Sequence, residues 1–378
     1  MILYDLTAAQ GYGNIKQHGG GKYAEIVFEA LCKAKVPMVV MWDSRRWISD
    51  NTMALCEEYQ LLLEDKAKST LNNIVKRNNV KLIYSALPND ELLSYRGCRV
   101  VATLHGLRAL ELPYDRIWLN YPLTLGEKLK QILKSFLPER EAKRGSLRFY
   151  HRFFENDMLS IVTVSNHTKY AIASYFPDVD IKKIPVFYSP STSFPKNAER
   201  KSLTENYFLV VSAAREEKNA LRAIKAFDKL LIDGKMRGFR MKLTGINKNI
   251  FRYNIKNPEL FDFCGYVNEE ELNNLYANAY ALVYPSLTEG FGYPPLEAMR
   301  YGVPVLASPF TSISEICGGA AIYFNPLSIE EIKNRMLQIM DNNIYRVHSS
   351  SAIENYNCIT NKQKDDLNKM VDFIMSNI

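Results

Sequence analysis

Short, continuously apolar runs alternate with longer amphipathic segments along nearly the whole chain, and this alternation constrains the fold more than any other feature. In the first half, 1–7, 36–42, 81–85, 99–104, 160–164 and 181–187 read as strands, and 23–34, 66–78 and 167–175 as helices. A strand reached through a helix runs parallel to its neighbour and is covered on both faces, so it is apolar throughout instead of every second residue. The pattern predicts an α/β chain with mostly parallel sheets flanked by helices. It stops at 188–206, YSPSTSFPKNAERKSLTEN, which has two prolines and no apolar period, and then restarts with strands 207–212, 240–243, 261–264 and 280–285 and helices 220–231 and 268–277. The 378 residues therefore divide into two doubly wound domains, 1–190 and 191–358, each able to bury a core of its own. A last segment, 359–378, carries Leu367, Met370, Val371, Phe373 and Ile374 at helical spacing.

Composition narrows the function classes. Hydrophobic content of 47% and charged content of 24% are those of a soluble globular protein, and no apolar run approaches the roughly 20 residues that span a bilayer. The start, MILYDLTAAQGYG, has neither a basic leader nor a long apolar core and reads as a first buried strand. Six cysteines without a CxxC pair argue against a zinc or redox site and for buried, reduced thiols in a cytoplasmic protein. A net charge of +7 suits a nucleotide diphosphate, an anionic membrane surface or nucleic acid, and only its distribution can decide among them.

Ligands of open α/β sheets bind beyond the carboxyl ends of the strands, and one such end is rich in functional groups. The stretch 286–308, SLTEGFGYPPLEAMRYGVPVLAS, follows the apolar run 280–285 and precedes a helix expected over 295–301, ended by Gly302. Glu289 and Glu297 lie eight positions apart, with Gly290, Phe291 and Gly292 after the first. A helix start offers unpaired backbone N–H groups and the positive end of the helix dipole, which together hold an anion. The glycines permit close backbone approach, and the two carboxylates can accept hydroxyl hydrogen bonds on either side of a phosphate. A sugar nucleotide has that distribution of groups, although two solvated glutamates at an ordinary strand-to-helix turn would read the same way.

The run 263–326, from FCGYVN to AIYFNP, resembles the retaining glycosyltransferases of GT-B type, sequence family 4 (group 1), and Glu289 and Glu297 match their E-x7-E signature. The resemblance implies two Rossmann-like doubly wound domains facing across a cleft, 1–190 on the acceptor side and 191–358 holding a nucleotide sugar, with 359–378 crossing back to the first. It implies transfer of a hexose from a nucleotide diphosphate sugar to a hydroxyl of a glycan or lipid-linked saccharide, with retention, in bacterial surface polysaccharide synthesis. Glu297 then holds the ribose hydroxyls, and Glu289 with the amides of Phe291 and Gly292 holds the donor sugar. Gly265, Tyr266 and Val267 resemble the segment that lies against the base, where Tyr266 can stack. In AAREEKN, Lys218 matches the lysine that neutralises the departing diphosphate. The family usually has a glycine at the position of Ser212 and an arginine at that of Ala213 or just before the lysine; this chain has neither, and Arg215 is the substitute within reach. No DxD pair sits near this site, so neither a metal nor any cofactor besides the donor is expected. Double displacement would make Glu289 a nucleophile; the family's usual same-face departure, with the diphosphate as base, leaves it binding and stabilising.

In the first half, GYGNIKQHGGGK at 11–22 is out of frame for a dinucleotide fingerprint, yet Gly20 and Gly21 before a helix permit close approach to donor or acceptor. A flexible surface loop is the alternative. His105 ends the run VVATLH, where an imidazole can hydrogen-bond a sugar hydroxyl; a packed loop histidine is the plainer reading. Ser165 reads as the N-cap of the next helix. Residues 121–154 hold eight Lys/Arg against three Asp/Glu, interleaved with large apolar side chains. They fit either peripheral contact with an anionic membrane, at the inner face of the plasma membrane, or an amphipathic helix pair packed on the sheet. Nucleic acid is not an expected partner, because no recognition module accompanies the charge. A nucleotide-sugar epimerase and a non-catalytic sugar-nucleotide-binding protein remain the alternatives to a transferase.

Overall fold

The structure, a computed structural model, describes residues 1–11, 19–191 and 205–378. It divides into two units: Met1–Leu107 with the segment beginning at Gly145 and Thr360–Ile378, and Arg108–Arg144 with the segment ending at Ile359.

The first unit is built on a six-stranded parallel sheet. Its strands are β1 (Ile2–Asp5), β2 (Met38–Trp42), β3 (Leu62–Asp65), β4 (Leu82–Ser85), β5 (Arg99–Leu104) and β6 (Leu159–Thr163), in the order β3-β2-β1-β4-β5-β6. Strand β1 lies between β2 and β4, pairing Ile2 with both Met38 and Leu82, and its residues are fully buried. The second unit repeats the plan with β7 (Asn206–Val210), β8 (Phe239–Thr244), β9 (Phe261–Gly265), β10 (Ala281–Tyr284), β11 (Val305–Ala307) and β12 (Ala321–Tyr323), in the order β12-β11-β10-β7-β8-β9. Here β7 and β10 are adjacent central strands, and their carboxyl ends emerge side by side. The expected α/β class with two doubly wound parallel sheets is what the structure has.

Several local expectations differ. The helix Asp50–Glu58 and the edge strand β3 carry little apolar signal: Leu62 is exposed, and Glu64 is bonded by Arg77 and Asn78 rather than by core. The helix expected over 66–78 is only Leu71–Arg77, started by the Thr70 cap. Residues 181–187 are not a strand. Asp180 caps a single turn, Ile181–Lys183, and Pro185 has no N–H to give a ladder, so only an isolated bridge between Thr163 and Val186 forms. Ser165 caps the helix Asn166–Tyr175 through its hydroxyl, 3.2 Å from the amide of Thr168. All six cysteines are free thiols, but Cys358 is exposed and Cys264 half-buried.

Arg108–Arg144 leaves the first alternation and packs into the second unit. Trp118 and Tyr121 are buried in a core with Phe208, Leu221 and Phe251, and the Tyr121 and Phe251 rings meet edge to face at 4.9 Å. Arg222 pairs with Asp115 at 2.5 Å.

One helix, Asn342–Ser376, closes the chain, and its residues from Thr360 onward group with the first unit. It is tied there by buried polar contacts. Asp366 accepts the amide of Tyr188 at 2.9 Å and the ammonium of Lys362 at 3.0 Å, and Gln363 donates to the carbonyl of Ser189 at 2.5 Å. Asp366→Ala strands the Tyr188 amide, which costs about 1–3 kcal/mol. Thermal unfolding is expected to show the midpoint falling by about 2–4 °C per kcal/mol lost.

Candidate active site

The site is assembled from three loops at the carboxyl ends of β7, β10 and β11. The chain leaves β7 through Ser212, which adopts a left-handed backbone (φ 55°) and whose N–H donates to Thr244 Oγ1 at 3.2 Å. Glycine takes this conformation without strain, which explains the family's usual glycine at this position. A turn at Glu216–Lys218 follows and Asn219, also left-handed, begins the next helix. The Asn219 amide group spans to the carbonyls of Pro285 and Pro326, at 3.1 and 2.7 Å, and so fixes the direction of Lys218 against the loop after β10.

That loop is latched from two sides. Leu287 N and Ser286 Oγ both donate to the Glu217 carbonyl, at 2.8 and 3.3 Å. After β11, Thr311 Oγ1 accepts the amide of Glu289 at 2.8 Å, while Ser312 Oγ bonds to the carbonyls of Glu289 and Phe291 at 3.0 and 2.8 Å. The turn ends at Gly292 (φ 113°), where a Cβ would come within 2.8 Å of Ile313 Cδ1. The helix then runs over Tyr293–Met299, two residues earlier than its sequence expectation, with prolines in its first turn.

Glu289 is thereby brought to Lys218. The two form an ion pair with 8% of the Lys218 side chain and 14% of the Glu289 side chain exposed. The same Oε1 accepts the hydroxyls of Tyr284 and Ser286, each at 2.5 Å, and Lys218 Nζ also donates to Tyr284 at 2.9 Å. Burial pushes the Glu289 carboxyl up, but the Lys218 charge and these hydrogen bonds outweigh it and hold the acid below its ordinary 4.5. Burial and the Glu289 charge push the Tyr284 phenol well above its usual range, with Arg215 opposing.

Glu297 has a matching partner. Its carboxylate is hydrogen-bonded by the hydroxyl of Tyr276, a buried residue whose phenol is pushed up by burial and by the Glu297 charge. Each glutamate of the pair is thus oriented by a buried tyrosine.

Arg215 is held in an ion pair with the buried carboxylate of Glu217. A second arginine, Arg108, bonds the other oxygen of Glu217 at 2.8 Å. Both guanidinium side chains are about half exposed, 54% and 51%. Sequence reasoning missed Arg108, Glu217, Tyr276 and Tyr284. Only the arginine absent from its usual place pointed to a substitute, and nothing in the sequence relates Arg108 to residues 107 to 110 positions later.

The other expected residues are on other loops. Tyr266, after the left-handed Gly265 at the end of β9, is 86% exposed, and Val267 is half-buried beside it. In the first unit, His105 follows β5 with its Nε2 3.0 Å from the carbonyl of Ala86 and Tyr23 edge-on at 4.7 Å. Gly20 and Gly21 belong to the first turn of the helix Gly19–Lys33, and a Cβ at Gly20 would meet Leu87 Cδ1 at 2.7 Å. Residues 12–18 of the glycine-containing loop lie outside the described residues. Among the described residues no cluster of acidic, histidine and cysteine side chains could hold a metal. No helix among them is long and apolar enough to cross a membrane.

Lys218→Met leaves a carboxylate buried without its cation and is expected to cost about 3–5 kcal/mol. Adding Glu289→Gln recovers part of that loss, with a coupling of about 0.5–3 kcal/mol in urea unfolding. Because the folded carboxyl lies below 4.5, its stabilisation is complete above that pH and is lost as pH falls through the lower folded value. The stability gap between parent and double variant therefore narrows only below pH 4.5.

Residues 192–357 match the family described as Glycosyl transferases group 1. Over 203 residues, the chain is 32% identical to the O-antigen chain mannosyltransferase RfbU of Salmonella typhimurium, covering 50% of this chain and 54% of that protein. It is 30% identical over 164 residues to the O-antigen chain mannosyltransferase B of Escherichia coli, covering 42% and 43%. The chain spans about half the length of these curated relatives. Among solved structures, Anabaena HepE in complex with UDP-glucose superposes with a TM-score of 0.64 at 15% identity, covering 100% of this chain and 99% of that one. The two doubly wound units are those of the GT-B fold.

Proposed function

We propose that this chain is a retaining hexosyltransferase that uses a nucleoside diphosphate sugar and a glycan or lipid-linked saccharide acceptor, in the cytoplasm, for surface polysaccharide synthesis. The observation that carries the reading is the buried Lys218–Glu289–Tyr284 cluster at adjoining strand ends, inside the residues that match Glycosyl transferases group 1. The O-antigen relatives support the pathway, and the UDP-glucose complex of the Anabaena protein supports a nucleotide sugar as donor.

In this reading the second unit, 191–358, binds the donor. Glu297, oriented by Tyr276, accepts the ribose hydroxyls, and Tyr266 stacks beside the base, with Val267 completing the contact. Glu289 and the amides of Phe291 and Gly292, approached closely because Gly290 and Gly292 lack side chains, hold the sugar. The bond from C1 to the β-phosphate oxygen breaks, and the acceptor oxygen bonds C1 on the same face. The acceptor's proton passes to the departing oxygen. Lys218, with Arg215 and Arg108, stabilises the charge developing on the diphosphate, work that a metal performs in other transferases. No metal and no further cofactor enters the scheme. In the first unit, 1–190 in the sequence reading, His105 and the helix start at Gly20 and Gly21 meet sugar hydroxyls or phosphate of donor or acceptor.

A thermal-shift panel of nucleoside diphosphates and their sugars identifies the donor, with mannose-bearing donors first because the relatives are mannosyltransferases. A ligand at 100 times its Kd adds about 2.7 kcal/mol of stability. With the donor found, Glu297→Ala is expected to raise the nucleotide Kd, and Lys218→Ala to lower kcat by about 10²–10³ with a smaller effect on binding. Donor consumption at full rate without acceptor would instead identify an epimerase. Silence across the whole panel would remove the sugar-nucleotide reading.

A further inference from the structure

The helix Leu125–Phe136 has no buried residue. Its apolar side chains Leu125, Leu129, Ile132, Leu133 and Phe136 recur at helical spacing on one stripe, and they are 77%, 54%, 39%, 66% and 72% exposed. Leu137, immediately after, is 51% exposed. Surface helices normally bury such a stripe; this one turns it to solvent. The helix is held by other means. Thr124 and Glu127 form a reciprocal cap, and Lys134 stands over the Tyr114 ring at 5.5 Å. Its flank makes a shallow groove with Arg116–Asn120, where Leu119 lines one side and Ile132 and Phe136 the other.

Charge identifies what fits this face. On the helical period Lys128 and Lys130 fall at the two edges of the stripe, with Lys134 behind. The one acidic residue, Glu127, is engaged by the amide and hydroxyl of Thr124. Three lysines less one glutamate give the helix a net charge of +2. Two copies pairing through this stripe would bring like charges together along both edges. An apolar centre does not suit nucleic acid, which binds through phosphate contacts. Apolar side chains flanked by lysines do match the boundary between acyl chains and anionic headgroups, where an amphipathic helix lies flat and its lysines reach outward.

We infer that the helix Leu125–Phe136 is a docking surface for an anionic lipid bilayer, lying in the plane of the interface with Leu129, Leu133 and Phe136 inserted. The inference does not depend on the transferase reading, because lipid binding is measured without a sugar nucleotide. The full chain is sedimented with phosphatidylcholine vesicles, with and without about 30% phosphatidylglycerol, at about 0.1 M and 0.5 M salt. Binding is expected on the anionic vesicles and weakens at the higher salt. Leu129→Ser/Leu133→Ser/Phe136→Ser is expected to abolish it, and Lys128→Gln/Lys130→Gln to reduce the partition coefficient by about tenfold or more. All five positions lie outside the core, so the unfolding midpoint and any nucleotide-induced shift should stay at the parent's values. Absence of parent binding to anionic vesicles overturns the inference. So does a parent dimer that the triple serine variant dissolves while vesicles bind neither protein, which assigns the face to a second copy.

Discussion

The candidate site depends on one buried ion pair. Taking Lys218 and Glu289 out of water costs several kcal/mol per ion, and their attraction offsets this only when further hydrogen bonds satisfy both groups. Tyr284 and Ser286 supply those bonds to the carboxylate, and Tyr284 also accepts from the ammonium. The pair therefore joins the turn after β7 to the turn after β10 and sets where Gly290, Phe291 and Gly292 run. The backbone latches through Asn219, Thr311 and Ser312 are what keep the two charges at bonding distance. A site built this way is preorganised, because the latches and the pair constrain each other.

Around that pair the cationic groups are arranged by a second carboxylate. Glu217, the residue before Lys218, is buried and pairs with both Arg108 and Arg215, which holds two half-exposed guanidinium groups on one carboxylate. A planar guanidinium bridged to a buried carboxylate loses little further entropy when it meets a phosphate. One of these two arginines comes from the Arg108–Arg144 segment and the other from the turn after β7.

The same segment shows how far an amphipathic pattern can be read. Basic and apolar residues between 121 and 154 were consistent with a helix packed on a sheet or one facing lipid, since either presents an apolar stripe at helical spacing. Burial removes the first of these cases for the helix Leu125–Phe136. Trp118 and Tyr121 enter the core of the second unit, whereas the stripe from Leu125 to Phe136 stays outside it.

Strand and helix order, the two parallel sheets and the turn that carries Glu289 were legible in the sequence, because strands covered on both faces must be apolar and because the turn ends at a glycine, Gly292, with φ 113°. Those are local requirements, met by neighbouring residues. Strand β3 escaped notice because an edge strand need not be apolar, and 181–187 misled because Pro185 removes a ladder donor that hydrophobicity does not register. Only the tertiary structure decided that Lys218 meets Glu289, that Tyr276 orients Glu297, and that Arg108 and Arg215 share Glu217. Arg215 is near Glu217 in sequence, but Arg108 and Glu217, and Lys218 and Glu289, lie far apart along the chain, and pairing at such distances is set by which elements lie side by side in the folded chain, which no local pattern encodes.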